Sequence, residues 1–515
     1  MLLSSARLSR RAILAFSLAL TAITVHAGKS NNTLNVAFPR EVVTLDGLYS
    51  NLRENDILSL VVDDVLYTVN PETLTAQPLV ALSHKMIDDR TIDVELRRGV
   101  KFHDGSELTA EDVAYSYIWT INPKSGTNFT RRIAFWLESA TATGPYTVRF
   151  KMKAPYAMFF YDLVYHSKLR KKGAYDKPDG AQDPAAQSLK LNSTGPYRVT
   201  EFRPGQRIVL QRVKDYRKDS PKSASTIENI VIRTIPEWST QAAEVMSGGI
   251  DWTYQVPYEI AEDVAKSGRA VHLSGPSMRI GYIVMDAAGK HQAKNPFTNV
   301  KVRQAVNHAI DREAIATKIV RGQAGALHTA CNPAQFACAQ EVTKYEYSPQ
   351  RAKALLAEAG YPNGFEVDFW AARERPIMEA IANQLRQAGI KANLRYVKGP
   401  TLSKARKDGQ VIMYYGSSGS FSVPDAGAVV PDKFAADSDE NYTGNPEVGQ
   451  AVAAAVNTYD PKARTQNFRK ALQLIADQAY WAPVYYYSEE YLVSREVEFA
   501  APKDGMQRLF LVRWK

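Results

Sequence analysis

The sequence predicts a mixed α/β protein built from two or three domains. The chain has 515 residues, which is too many for a single hydrophobic core. Segments that alternate between apolar and polar residues, as strands do, are interleaved with segments of helical periodicity. No internal repeat and no long low-complexity linker divides the chain. We therefore expect domains joined by short crossovers, an arrangement suited to closure about a hinge.

Strands are predicted from alternation and from the turn residues beside it. One strand is predicted over Leu96–His103 and ends at Asp104-Gly105, because Gly accepts a positive φ and Asp bonds to nearby backbone. Two strands flanking Arg203–Gln206 predict a hairpin. The other predicted strands are Thr33–Phe38, Thr91–Leu96, Thr147–Met152, Ile227–Ile235, Ile250–Trp252, Phe365–Phe369, Lys391–Tyr396 and Val484–Tyr487.

Helices are predicted from apolar periodicity and from capping residues. Thr109 followed by Asp112 is a capping-box pattern and predicts a helix start. Ser348 and Asp460 each precede a proline and predict two further starts, while a glycine marks several helix ends. The other predicted helices are Leu58–Tyr67, Trp238–Met246, Val300–Ile310, Asp311–Gly322, Pro349–Ala359, Ile377–Ala388 and Asp460–Ala479.

The first 27 residues have the pattern of an export signal. Three arginines precede the apolar segment Ile13–Val25, which is shorter than a membrane span, and cleavage is expected after Ala27. Ser9–Leu14 also resembles a twin-arginine signal, so the Sec and twin-arginine routes both stay open. No cysteine lies near the cleavage site for a lipid anchor. We expect a signal peptide over 1–27 and a mature protein free in the periplasm.

Charge and cysteine content narrow the function classes. The formal charge is +10, and removing the three signal arginines leaves +7, which suits an anionic ligand or scattered surface lysines and arginines. Nucleic-acid binding is not expected, because no nucleic-acid motif is present.

Cys331 and Cys338 are expected to form a disulfide in an oxidising compartment. A zinc site with His328 is the alternative, although the spacing matches no standard site. No other metal site or cofactor is expected.

Several blocks of the sequence resemble, in order, family 5 of the extracellular solute-binding proteins, the peptide-, nickel- and opine-type receptors of ABC importers. They are Leu96–Trp119, Ser193–Tyr197 with Arg207–Arg212, Ser247–Asp251, Asn295–Arg312, Ala357–Pro362, Gln387–Ile390 and Ala482–Tyr487. The resemblance implies a two-lobed periplasmic binding protein (type II, cluster C) with an additional α/β domain. It also implies a monomer that closes on a peptide-like or other polar nutrient and delivers it to a permease–ATPase complex at the inner membrane.

The resemblance also implies domain boundaries. Lobe I would comprise 29–67, 190–284 and 484–515. The additional domain would comprise 68–189, and lobe II would comprise 285–483.

Peptide-binding members of the family hold an extended ligand by backbone pairing with two segments, which is a form of strand addition. The corresponding residues here are Asn51, Arg53, Glu54, Tyr415, Gly416 and Ser417. Such members also carry an aspartate that binds the ligand's ammonium group. Here Ser420, or with another gap Ser422, takes that position, and Asp425 matches a second, structural acid.

A serine cannot neutralise a buried ammonium group. This difference favours an anionic or neutral polar ligand, such as an opine, a sugar or a sugar-phosphate conjugate. A flexible turn without a ligand role is the alternative.

Further candidate site residues are arginines and aromatic residues. Arg406 aligns with a family arginine that meets ligand carboxylates, and Arg373 and Arg375 lie in a loop that faces the cleft in relatives. A guanidinium group can bind a carboxylate or a phosphate through two hydrogen bonds, although surface positions for these arginines stay open. The remaining candidates, for the walls of the cleft, are Phe129, Arg279, Tyr282 and Trp370.

Two other classes were weighed against a transport receptor. An exported hydrolase is disfavoured because the sequence contains no GxSxG, no HExxH and no glycine-rich phosphate loop, although dispersed carboxylate pairs stay open. A module that reports its ligand to a membrane sensor is the second alternative. We therefore expect a binding protein without catalytic residues.

Overall fold

A computed structural model describes residues 28–177, 179, 181–292 and 294–515. The predicted signal segment 1–27 lies outside the described residues. The mixed α/β class is confirmed: one 11-stranded mixed sheet and one four-stranded antiparallel sheet are covered by helices. Within the described ranges, no helix is both long and apolar enough to span a bilayer.

The strands are numbered in chain order. They are β1 (Thr33–Phe38), β2 (Tyr67–Val69), β3 (Ala76–Pro78), β4 (Ala81–Met86), β5 (Thr91–Leu96), β6 (Leu137–Gly144), β7 (Thr147–Met152), β8 (Tyr197–Arg203), β9 (Arg207–Arg212), β10 (Asn229–Thr234), β11 (Trp252–Tyr254), β12 (Ala270–Met285), β13 (Gly325–Ala326), β14 (Phe365–Ala371), β15 (Ile390–Tyr396), β16 (Met413–Ser418), β17 (Trp481–Ser494), β18 (Val497–Glu498) and β19 (Arg513–Trp514).

The helices are numbered in the same way, and α8 continues into a π-helical segment, Ile315–Val320. They are α1 (Arg53–Val62), α2 (Ala110–Ile121), α3 (Thr130–Trp136), α4 (Phe159–Tyr165), α5 (Trp238–Ser247), α6 (Tyr258–Lys266), α7 (Val300–His308), α8 (Arg312–Ala314), α9 (Pro349–Glu358), α10 (Arg375–Gln387), α11 (Gly399–Lys407), α12 (Val430–Phe434), α13 (Pro446–Val456) and α14 (Pro461–Asp477).

The large sheet has the order β15-β14-β16-β12-β17-β11-β1-β10-β9-β8, with β13 paired to β17. Its two central strands, β12 and β17, are 16 and 14 residues long and run antiparallel. Both halves of the sheet share this pair. The pairing register shifts between Pro276 and Ile280, so the ladder is interrupted where one half passes into the other.

The small sheet has the order β4-β5-β7-β6 and lies inside the segment predicted as the additional domain. Alternate residues of β5 and β7, including Val94 and Phe150, are fully buried. The ring of Tyr117 on α2 packs edge-on against Phe150 with the centroids 4.9 Å apart. This alternation is the pattern from which both strands were predicted.

Many predicted elements occur where the sequence placed them. β1, β5 and β7 have the predicted bounds, and the hairpin of β8 and β9 turns at Arg203–Gln206. The capping box is also confirmed, since the Asp112 carboxylate accepts a hydrogen bond of 2.7 Å from the Thr109 backbone N–H.

Two predictions of local structure were wrong. The helix predicted over Leu58–Tyr67 begins at Arg53 and ends at Val62, because its polar first turn is buried and Asp63 instead binds the buried Arg170. The strand predicted over Leu96–His103 ends at Leu96. Beyond it the chain folds into turns, and the Phe102 N–H bonds to the Ser106 carbonyl at 2.8 Å.

Candidate functional site

The candidate site surrounds the loop that follows β16. β16 pairs with β12, and Gly416 lies opposite Tyr282, where a side chain would meet the tyrosine ring at 2.5 Å. The next residues form an unusual turn, since Ser420, Phe421 and Ser422 have φ values of 46°, 50° and 62°. Non-glycine residues hold such angles only where neighbouring contacts fix them. We refer to Gly419–Ser422 as the site loop.

Contacts from two directions hold the site loop. From one side, the Gln335 amide donates to Ser420 Oγ at 3.1 Å and to the Val423 carbonyl at 2.9 Å. From the small-sheet side, the Tyr165 hydroxyl donates to the Ser422 carbonyl at 3.2 Å. The loop therefore connects the half of the large sheet that contains β16 to the segment that contains the small sheet.

The Phe421 ring adds an aromatic contact to this connection. It meets His166 edge-on with the centroids 4.9 Å apart, and Phe129 at 6.0 Å. Phe129, a predicted cleft residue, is thus buried beneath the loop.

The disulfide supports the same loop. Cys331 and Cys338 are bonded, as expected from their predicted compartment, and Gln335 lies between them. Phe336 exchanges backbone hydrogen bonds of 3.0 Å with the segment that follows the site loop, through Pro424 and Ala426.

No cluster of three or more potential metal ligands occurs among the described residues.

Two arginines contact the site loop or the end of β16, and the charge of a third, Arg373, acts on one of them; none of the three forms an ion pair in the described part of the chain. Arg53, at the start of α1, donates to Ser422 Oγ at 3.1 Å, and Arg279 on β12 donates to Ser417 Oγ at 3.3 Å. Arg373 is exposed in the loop before α10. Burial lowers the pKa of the Arg279 guanidinium, and the positive charges of Arg373 and Arg53 lower it further, against the opposing influence of Tyr487 and Glu489. This concentration of positive charge would be relieved by an anion.

A buried acid lies among these arginines. Glu489 on β17 is 7% exposed, and its carboxylate makes no hydrogen bond or ion pair with any described residue. Burial raises its pKa to about 7, against the opposing influence of Arg53 and Arg279. Two residues earlier on the same strand, the Tyr487 ring lies 5.8 Å from the Arg279 guanidinium. Sequence reasoning missed Glu489, and no motif marks it.

Other predicted site residues have protein partners. Glu54 is buried and accepts hydrogen bonds from Arg40 at 2.9 Å and from the Tyr254 hydroxyl at 2.8 Å. Asp425 accepts two hydrogen bonds of 2.8 Å from Arg464. Asn51 is exposed just before α1.

Two of the predicted arginines already form ion pairs. Arg406 lies 3.3 Å from a Glu440 oxygen and stacks on Tyr414 with 4.5 Å between guanidinium and ring. Arg375 pairs with Glu379 at 2.9 Å on the surface. Arg406 and Arg375 therefore each have a carboxylate partner, whereas Arg279 forms no ion pair with a described residue.

Three predicted aromatic residues lie elsewhere in the packing. Tyr282 is 2% exposed and stacks on Trp481 with the ring centroids 3.6 Å apart. The Tyr415 hydroxyl lies 2.7 Å from each of two other tyrosine hydroxyls. Trp370 lines a separate cavity of about 330 Å³ between β14 and the segment that leads into β16.

Comparison with known proteins gives the same family as the sequence blocks described above. The family model described as bacterial extracellular solute-binding proteins, family 5 Middle, matches residues 75–441. The glutathione-binding protein GsiB of Escherichia coli K12 is 27% identical over 425 residues, covering 79% of this chain and 80% of GsiB. GsiB of Salmonella typhimurium LT2 is also 27% identical, over 417 residues that cover 77% of this chain and 78% of that protein.

Two solved structures have the same fold over 94% of this chain. A dipeptide-binding protein from Pseudoalteromonas in complex with Met-Leu has a TM-score of 0.81 at 22% identity, with 100% of its chain covered. AgaA from Agrobacterium tumefaciens R10 in complex with agropinic acid has a TM-score of 0.76 at 20% identity, with 99% covered. Since the family model spans more than half of the sequence, the chain belongs to family 5 of the bacterial extracellular solute-binding proteins, which are substrate-binding proteins of ABC importers and not enzymes.

Proposed function

We propose that this importer component captures a short, peptide-like solute that carries at least two carboxylates. The observation that carries the proposal is the set of arginines, Arg53, Arg279 and Arg373, that form no ion pair with any described residue and are positive in excess of the one nearby acid, Glu489. A ligand carboxylate would form charge-assisted hydrogen bonds with them and offset their mutual repulsion. The site loop has serines where an ammonium-binding aspartate was expected, which also disfavours a ligand defined only by a cationic end.

We also propose how the solute is enclosed. The segments 29–67, 190–284 and 484–515 would move as lobe I, and 285–483 as lobe II, with 68–189 attached as the additional domain. The β12–β17 pair, in which the boundaries at 284 and 484 lie, is a candidate hinge. Arg53 belongs to the first group of segments and Arg373 to the second, so one anion held by both would favour the closed arrangement.

We also propose where the protein acts and which complex receives its solute. An export signal over 1–27 would deliver a monomer to the periplasm, by the Sec or the twin-arginine route. The permease–ATPase complex of an ABC importer would then receive the solute.

Glutathione is the first solute to test, because it is a short peptide with two carboxylates and gives its name to the GsiB relatives. Isothermal titration of the mature protein should detect glutathione binding, with Met-Leu, which has one carboxylate, binding more weakly. Arg279→Gln should weaken glutathione binding about tenfold or more, because it removes a charge-assisted contact.

Arg386→Gln provides the matched control, because Arg386 is an exposed arginine on α10 whose guanidinium donates to Asn383 at 3.0 Å. It should bind as the wild type does. Equal affinity of the Arg279→Gln variant and the wild type would contradict the proposed role of the arginines.

An opine is the second candidate. The same three arginines could bind the carboxylates of an opine, and the agropinic-acid complex shares the fold. Binding of agropinic acid but not of glutathione in the same titrations would favour this alternative.

A further inference from the structure

Two neighbouring acids on β17, Glu489 and Glu490, differ in their surroundings. Side chains of a strand alternate between its two faces, so Glu489 shares a face with Tyr487 and Tyr491, while Glu490 lies on the other face. Glu490 is 6% exposed and fully partnered: its carboxylate lies 2.6 Å from His272 Nε2 and accepts hydrogen bonds from Ser274 and Ser488. The two neighbouring acids are thus equally buried but differ in their partners.

A buried carboxylate without a hydrogen-bond donor is unfavourable. Arg53 and Arg279 are the two cations that act most strongly on Glu489, yet neither forms an ion pair with it. The same two arginines donate to Ser422 and Ser417 beside the site loop. Tyr487, on the same face of β17 as Glu489, lies 5.8 Å from the Arg279 guanidinium. Glu489 therefore lies beside the candidate site, with a carboxylate that no described residue bonds.

We propose that Glu489 binds the ammonium group of the ligand, while Arg53 and Arg279 bind a carboxylate attached to the same carbon. This inference rests on the proposed function and specifies the ligand further, as one that carries a free α-amino acid group. Glu489 would supply, from the hinge strand, the negative charge that Ser420 and Ser422 cannot provide.

Because Glu489 lies near Arg53 and Arg279, the site should prefer ligands whose ammonium and carboxylate groups are close together. In an ordinary peptide the terminal ammonium and carboxylate are separated by the whole chain. In a peptide linked through the γ-carboxyl of glutamate, the ammonium and a free carboxylate share one carbon. The site thus matches the second class better, and the exposed Arg373 is placed to meet a second carboxylate farther along the ligand.

The decisive experiment compares glutathione with its α-N-acetyl derivative by isothermal titration against the mature wild-type protein. Acetylation removes the positive charge and leaves both carboxylates in place. We expect the wild type to bind glutathione about tenfold to a hundredfold more tightly than the acetylated compound, since a charged hydrogen bond is lost.

Two substitutions complete the design. Glu489→Gln should weaken glutathione binding and abolish the preference over the acetylated compound. Glu490→Gln is the matched control and should keep that preference, because its carboxylate faces away from the site. Thermal denaturation of each variant verifies that it is folded.

The outcomes separate the two proposals. Equal binding of both compounds by the wild type would overturn the role of Glu489 and leave the arginine proposal intact. An unchanged preference in Glu489→Gln would do the same. Absence of binding of either compound by the wild type would overturn both.

Discussion

Replacing Glu489 with glutamine should stabilise the ligand-free protein at high pH. Burial raises the pKa of Glu489 from its ordinary value of 4.5 to about 7. The folded state therefore binds this proton more tightly than the unfolded state does, and the free energy of unfolding decreases as the pH rises from about 4.5 to about 7. At about 1.4 kcal/mol per pH unit, the loss above pH 7 is about 3 kcal/mol. Glutamine retains the shape of the side chain and carries no charge, so it avoids this loss.

The measurement is chemical denaturation of the mature, ligand-free protein at pH 4.5 and at pH 8. Tryptophan fluorescence follows the transition, because several of the seven tryptophans, including Trp252 on β11 beside β17, are buried in the folded protein. Glu489→Gln should match the wild type at pH 4.5 and exceed its stability at pH 8 by up to about 3 kcal/mol. Glu490→Gln should be less stable than the wild type at pH 8, because it weakens an existing contact with His272.

A Glu489→Gln variant that is no more stable than the wild type at pH 8 would refute the reasoning. So would a gain of the same size at both pH values, since a gain that does not depend on pH cannot arise from the titration of this carboxyl group.

Three further predictions concern the site loop and its supports. Phe421→Ala removes the ring that joins the loop to the small-sheet domain, so X-ray scattering should show a larger radius of gyration in the absence of ligand. Asp425→Asn breaks a buried ion pair and should lower the free energy of unfolding by about 3 kcal/mol, whereas Asp439→Asn, in an exposed pair, should change it little. Replacing Cys331 and Cys338 by serine should cost about 2 kcal/mol in denaturant titrations.

For each of these predictions, one experimental result would contradict it. An unchanged radius of gyration would mean that the Phe421 ring does not hold the site loop against the segment that contains the small sheet. Similar losses in Asp425→Asn and Asp439→Asn would show that burial does not distinguish the two ion pairs. Full stability without the disulfide would mean that other contacts are sufficient to hold residues 331–338.

The sequence predicts the regular strands well and the central strands poorly. β5 and β7 each bury one face, so their residues alternate and their bounds can be predicted from that pattern. Most of the second half of β12 is buried on both faces, which removes the alternation, and Gly275 and Pro276 interrupt its first half. β17 was predicted only over Val484–Tyr487, because Glu489 and its polar neighbours are atypical of a buried strand.

The candidate site was predicted in part, and mainly from the family resemblance. That resemblance identified the segment around Tyr415–Asp425 and the arginines at 53, 279 and 373. It could not separate Arg279, which has no acidic partner, from Arg406, which is paired with Glu440. The burial of Glu489 depends on strands that come together only in the folded chain, so no local pattern could indicate it.

The position of β17 has a consequence for biosynthesis. This strand is the last strand of the large sheet in chain order, yet it occupies the middle of that sheet, with β11 on one side and β12 on the other. A nascent polypeptide that has not reached Trp481 thus exposes two unsatisfied strand edges, which are sites of aggregation. Neither half of the sheet can be completed until Trp481–Ser494 has been synthesised, and a premature stop codon before Trp481 should yield insoluble product.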